Sequence, residues 1–206
     1  MNKYQTHEGS KSEAKTEAIL KGAMKEFLAG GYAATSMDKV AKAAGVSKAT
    51  VYSHFGDKES LFNVVIHDLA RDKFQTVMGL DRPQSLNEDP KKVLSGMATR
   101  MLDNVKRDRQ FQDFIRIIIG ESGRFPELAK AYVNNLAKPA IETLTKYFES
   151  HPELELEDPA ATVRVMMGTL VYFVMLQEMM HGKDIVPLSS DRLVNTLTEL
   201  ITNNKS

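Results

Sequence analysis

The stretch Lys48-Ala49-Thr50-Val51-Tyr52-Ser53-His54-Phe55 crowds hydrogen-bonding side chains onto eight residues. Val51 and Phe55 lie four apart and share an inward side if the stretch is helical. Lys48, Thr50, Tyr52, Ser53 and His54 are then left outside. A short helix with such an outer side fits the major groove of duplex DNA and can present side chains to base edges. Lys48 can donate to guanine or to a phosphate. Ala49 and Thr50 can meet a thymine methyl. Tyr52, Ser53 and His54 can hydrogen-bond to phosphates or bases. Ser47 is first a helix cap and only second a phosphate contact. Thr35 or Ser36, at the start of the preceding helix, offers a hydroxyl and backbone amides to another phosphate.

These groups need elements to hold them outward. Thr35 or Ser36 can cap a helix in which Met37, Val40, Ala41 and Ala44 recur at helical spacing. Gly45 stands where that helix would stop with a left-handed residue, and Val46 can plug the corner before Ser47. Gly56 breaks the second helix. Asp57 caps a third, with Glu59 in its first turn, where negative charge is favoured. Two short helices around a glycine turn make a helix-turn-helix. Ahead of it, Ile19, Ala23 and Phe27, with Leu20, Met24 and Leu28, mark the buried side of a helix from Ser12 to Ala29. Gly30-Gly31 ends it, and Tyr32 joins the small core. Residues 1–11 are polar and expected to be a disordered tail.

The combined words resemble the DNA-binding domain of TetR/AcrR-family regulators. They are Gly31 to Ser36, Ala41 to Ser47 (A-x-A-A-G-V-S), Lys48 to Phe55 ending in T-V-Y-x-H-F, and D-K-E-S-L-F at Asp57 to Phe62. The run Glu121 to Ala129, E-S-G-R-F-P-E-L-A, is similar to AefR-like C-terminal domains of the same family. The resemblance implies a bacterial, cytoplasmic, homodimeric regulator, most often a repressor that leaves its double-stranded operator when a small molecule binds the C-terminal domain. It implies that Tyr52 and His54 work mainly at the DNA backbone, and that Lys58 meets a phosphate. It also implies an apolar effector cavity, for which Met97, Met101, Phe111, Phe114, Ile118, Phe125, Met166, Leu170 and Phe173 are candidate walls. Glu121, Arg124 and Gln177 are candidate polar contacts there.

The rest of the chain supports an all-α fold of about nine helices. The expected division is a tail over 1–11, a helix-turn-helix domain over 12–56, a connecting helix over 57–78, and a helical ligand-binding and dimerisation domain over 79–206. Gly79 to Pro90 reads as a loop. Helices are expected over 90–107, to about Ser122, from Pro126 to Ser150, from Asp158 or Pro159 to near Gly182, and over Ser190–Thr202. Pro139 removes one backbone donor and predicts a kink in the helix that contains it. Residues 160–180 are apolar nearly all round, so that helix must be covered on several sides. With the last helix it can form a four-helix homodimer interface.

The sequence has 27 basic and 27 acidic residues, so any grip on phosphates rests on a few placed cations. There is no cysteine, hence no thiolate or disulfide chemistry. Arg164, Gln177 and Glu178 interrupt the most apolar run, and no membrane span is expected. The N-terminus has no apolar core of a signal peptide. A catalytic site, cofactor or metal is not expected. The alternative, a helical-bundle enzyme or metal-binding protein, would rest on Glu178-x-x-His181 alone, where a di-iron bundle needs two such motifs. A second alternative is an interaction module that has lost DNA binding; Lys48, Tyr52, His54 and Lys58 argue against it.

Overall fold

The computed structural model describes residues 5–78 and 88–203, with side chains over 12–73 and 88–203. No strand occurs among the described residues. The helices are α1 (Gln5–Ala34), α2 (Met37–Ala44), α3 (Lys48–Phe55), α4 (Lys58–Met78), α5 (Pro90–Arg107), α6 (Arg109–Glu121) and α7 (Pro126–Tyr132), followed by α8 (Lys138–Glu149), α9 (Pro159–Val174) and α10 (Ser190–Thr202). Most of the expected Gly79–Pro90 loop, and residues 1–4 of the expected tail, lie outside the described residues.

Two expectations about α1 are corrected. It begins at Gln5, so residues 5–11 are helical rather than a disordered tail; extending a helix that already exists adds one hydrogen bond per residue fixed, even through Gly9. It also resumes after Gly31, which alone is non-helical, with φ 74° and ψ 174°. The expected kink at Pro139 takes the form of a π turn over Val133–Ala137, just ahead of the proline. Its wider register lets a carbonyl reach past the residue that has no N–H to give. A second π turn, Met175–Met179, extends α9.

The chain packs as two compact units. One takes the chain up to Leu69 together with Asp113–Tyr132; the other takes Ala70–Gln112 and the chain from Val133 onward. This packing cuts the chain differently from the sequence boundaries at 56 and 78. The reason is side-chain burial. Phe114, Ile118 and Leu128 are buried in one cluster with Ile19, Phe27, Val40, Val51 and Phe62. Phe62 packs edge-on to Phe27 at 5.0 Å and stacks on Phe114 at 5.2 Å. Burying an aromatic of this size contributes about 1.5–3 kcal/mol. In the second unit α5 packs on α10 and α9, and α8 packs on α9. Their buried faces are Leu94, Met97 and Leu102, then Val194, Leu197 and Ile201, then Met166 and Leu170, then Leu144 and Phe148.

α1 and α2 approach so closely that a Cβ on Gly22 would stand 2.9 Å from the backbone nitrogen of Ala44. Alanine favours a helix over glycine by about 1 kcal/mol. Overpacking against a neighbouring backbone costs typically ~1–3 kcal/mol. Gly22→Ala is therefore expected to lower the first unit's thermal midpoint in calorimetry. An unchanged or raised midpoint would mean that α2 yields without cost.

Candidate nucleic-acid interface

The interface starts from the caps. Ser36 Oγ accepts from Lys39 N at 3.3 Å, so Ser36 is the cap of α2 and Thr35 is not. α2 stops at Gly45, with φ 66° and ψ 29°. Gly45 N donates to Lys42 O at 3.3 Å and Val46 N to Ala41 O at 3.0 Å. That pair of bonds is a Schellman motif, which fixes the direction in which the chain leaves the helix. Ser47 Oγ then accepts from Thr50 N at 3.1 Å and starts α3. Gly56 N donates to Tyr52 O at 2.8 Å and closes it. Asp57 Oδ1 accepts from Ser60 N at 2.7 Å and starts α4. The Asp57 carboxyl is held below its ordinary value by the Ser60 backbone amide first.

Val51 is fully buried, and Phe55 packs partly against the same core. At 100° per residue, Lys48, Ala49, Tyr52 and Ser53 fall on one outer face. All four are exposed, Tyr52 by 45%. The Lys48 ammonium lies 5.7 Å from the Tyr52 ring centre and 2.8 Å from Asp38 Oδ1 of α2. The bond to Asp38 holds the Lys48 ammonium above its ordinary value. Ser53 Oγ donates to Thr50 O at 2.9 Å and still faces outward. Ser36 and Ser47 are also exposed. Thr50 and His54 are half-buried at the margins, and His54 Nδ1 lies 3.4 Å from Thr16 Oγ1 of α1.

Two expected DNA contacts are placed otherwise. The Thr35 side chain is buried, with its hydroxyl 2.8 Å from Gly31 O and 3.0 Å from Glu26 O, so it faces the protein rather than a phosphate. Lys58 donates to Tyr32 O at 2.8 Å and Thr35 O at 3.0 Å, with its ammonium 4.2 Å from the Tyr32 ring centre. A cation suits the carbonyl end of a helix and an aromatic face. Burial pushes the Lys58 ammonium below its ordinary value, and Arg124 adds to that against the pull of Glu121. Lys58 thus ties the end of α1 to α4. Burial, followed by the charges of Glu127, Glu59, Asp57 and Glu121, pushes the Tyr32 phenol up to about 12.

Of the candidate effector residues, Phe114, Ile118, Glu121 and Phe125 belong to the first unit, whereas Met97, Met101, Phe111, Met166, Leu170, Phe173 and Gln177 belong to the second. Met97, Phe114, Ile118, Met166 and Leu170 are at most 3% exposed and fill cores. A groove of about 580 Å³ in the second unit takes only Phe173 and Gln177 of the set, beside Leu102, Val174, Lys106 and Arg192. Gln177 is buried there, its amide donating to Val186 O at 2.8 Å.

Glu178 accepts from Lys183 Nζ at 2.6 Å, and His181 is an exposed residue at φ 58°. No group of three metal-ligating side chains occurs among the described residues. Asp38 and the backbone-bonding role of Glu121 were missed by sequence reasoning. Asp38 reaches Lys48 across the turn, ten residues on, and no spacing rule announces such a pair.

Residues 19–65 match the profile described as bacterial regulatory proteins, tetR family. Residues 92–201 match the AefR-like transcriptional repressor, C-terminal domain. The uncharacterized HTH-type transcriptional regulator YhgD of Bacillus subtilis (strain 168) is 46% identical over 57 residues, covering 28% of this chain and 30% of that protein. The chain spans about a third of the length of the first curated relatives it matches. A solved chain from Mesorhizobium loti MAFF303099, ascribed to the TetR-family transcriptional regulators, superposes with a TM-score of 0.76 at 26% identity. That alignment covers 92% of this chain and 96% of the other. The flavonoid-responsive regulator FrrA superposes at 0.67 with 26% identity, over 90% and 91% of the two chains. The glycine-capped turn matches at one end, the C-terminal profile runs over more than half of the 206 residues, and on these grounds the chain belongs to the tetR family of bacterial regulatory proteins.

Proposed function

We propose that this chain is a cytoplasmic, dimeric transcriptional regulator that represses by occupying a pseudo-palindromic operator and releases it when a small molecule binds. The outward face of α3 carries the reading. Lys48, Ala49, Tyr52 and Ser53 are exposed on a helix pinned by buried Val51, by the Ser47 side-chain cap and by the Gly56 backbone cap. In this reading Lys48 and Ala49 address base edges, while Tyr52, Ser53, Ser47, Ser36 and His54 take phosphates.

The dimer rests on α9. The helix and its π turn, Pro159–Met179, are long and apolar enough to cross a membrane, yet only 22% of that window is buried. A core helix of one chain would be mostly buried, so this face needs a cover. Val165 and Tyr172 are each 64% exposed on α9, and Leu200 is 70% exposed on α10. A second copy, adding the same two helices about a two-fold axis, would cover them. Two α3 helices could then enter successive major-groove faces.

The effector site in this reading is the groove of the second unit. Leu102, Phe173 and Val174 give it an apolar side, and its charged residues are mixed, Lys106, Lys183 and Arg192 with Asp103 and Glu178. An apolar molecule with a polar end suits such a lining. The structural relative FrrA is described as flavonoid-responsive, and a small organic effector is in keeping with that. An effector that favours the badly spaced form of the dimer lowers operator affinity by its differential binding.

A salt titration on one operator tests the DNA reading. Tyr52→Ala is expected to weaken binding to every sequence by about tenfold, the order of one lost phosphate contact. Asp38→Asn is expected to act the opposite way. The exposed Lys48–Asp38 pair adds little to stability, and removing the acid frees the Lys48 ammonium for the base edges and takes a negative charge off the DNA-facing side. Affinity should rise, and the log–log salt slope should steepen by roughly one. Indifference of both variants would remove the support for α3 as the DNA-facing element.

A further inference from the structure

Glu121, the last residue of α6, lies beside the end of α1. Its Oε1 accepts from Tyr32 N at 2.7 Å, and its Oε2 accepts from Ala33 N at 3.1 Å. Those two amides follow Gly31, where α1 breaks at φ 74° and restarts. The carboxylate therefore caps a helical turn from an element 88 residues further along the chain. Gly31 is built for it. A Cβ there would stand 2.5 Å from Glu121 Oε1, and the positive φ would strain any other residue as well.

The same turn is gripped on its other side. Lys58 of α4 holds the carbonyls of Tyr32 and Thr35, and the Thr35 hydroxyl bonds the carbonyl of Gly31. The Phe125 ring, four residues past Glu121, packs edge-on to Tyr32 at 5.1 Å. The next residue after this turn is Ser36, the cap of α2, and α2 carries α3 through the Gly45 corner. The direction in which α2 and α3 leave α1 is thus fixed at a turn held by side chains from α4 and α6.

We infer that Glu121 is a positioning residue for DNA recognition: its carboxylate clasps the turn after Gly31 and sets the angle of the helix-turn-helix. Glu121 touches no base. It acts through Tyr32 and Ala33. The inference deepens the DNA reading above and rests on it. Non-specific binding depends on charge and tolerates a range of angles, whereas operator binding needs two recognition helices in register. Loss of the clasp should therefore separate the two affinities.

The test uses the full chain, an operator duplex recovered from random sequence, and an unrelated duplex of equal length. It measures Glu121→Ala, Glu121→Gln and Gly31→Ala, each with its thermal midpoint and amide exchange at Tyr32 and Ala33. Glu121→Ala should speed exchange at both amides and weaken operator binding about 10- to 100-fold, as expected when charge-assisted bonds are lost. Binding to the unrelated duplex should change less than about threefold, since charge alone governs it. Glu121→Gln keeps the shape and one oxygen acceptor, so it should fall between wild type and Glu121→Ala, and it serves if Glu121→Ala folds poorly. Gly31→Ala should give the same defect, and combining it with Glu121→Ala should add little, because both break one contact. Unchanged operator affinity in Glu121→Ala, or equal losses on both duplexes that follow the midpoint, would overturn the inference while leaving the DNA reading intact. Failure of the wild-type chain to prefer any duplex would sink both.

Discussion

Ala49→Glu is expected to reduce operator binding at least about 100-fold, because a like-charge juxtaposition across an interface costs several kcal/mol. The size of the effect follows from where Ala49 sits. It is exposed on the face that also carries Lys48, Tyr52 and Ser53. In the first turn of α3, which holds no acidic residue, a carboxylate meets the positive end of the helix. That placement typically adds ~0.3–1 kcal/mol to helix stability. The folded chain should therefore tolerate the new carboxylate, and its thermal midpoint should hold or rise. In a major groove the same carboxylate would stand among phosphates, beside the Lys48 ammonium it partly neutralises. Folding and DNA binding thus move in opposite directions, which separates this variant from a merely unstable one. Fluorescence anisotropy with a labelled operator measures the loss. Retained affinity would place the contact surface elsewhere.

The double substitution Val165→Glu with Tyr172→Glu is expected to turn the dimer into a monomer. Both side chains are mostly exposed on α9, seven residues apart and so on one stripe. Neither change creates a cavity inside a single chain. In a symmetric interface the pair would bury carboxylates from both copies near one another, a cost that an apolar contact cannot offset. Sedimentation should show the halved mass. Operator affinity should drop on the order of 10²–10⁴-fold, since the second half-site no longer binds intramolecularly. The salt slope should fall to about half as the number of phosphate contacts per complex halves. A variant that still sediments as a dimer would move the interface off α9.

What could be read in the sequence was what depends on neighbours in the chain. Ser36, Ser47, Asp57 and Asp158 each accept a backbone amide three residues on, and Gly45 adopts the left-handed conformation expected of it. Such caps need only a short polar side chain at the right offset. Pro139 announced an irregular turn for the same local reason. The seam of Val51 and Phe55 on α3 was also legible, because helical spacing alone defines it. Contacts between distant segments were not. Glu121 looked like a polar group for a ligand, and only the folded chain shows it 2.7 Å from the amide of Tyr32. Lys58 looked like a phosphate cation, yet α4 brings it to the carbonyls of Tyr32 and Thr35. Phe114 and Ile118 looked like cavity walls. Both are buried in the first unit's apolar cluster, and apolar spacing does not say which face a helix turns to which partner.

The central claim is that α3 reads duplex sequence from a two-fold assembly, and selection of random duplexes by the purified chain tests it most directly. The account predicts enrichment of an inverted repeat whose half-site centres lie roughly 10–10.5 base pairs, or a multiple, apart. It predicts that Lys48→Ala changes the enriched bases and that Ala49→Glu abolishes enrichment. Recovery of no preferred sequence, or of the same inverted repeat by the Ala49→Glu chain, would contradict it.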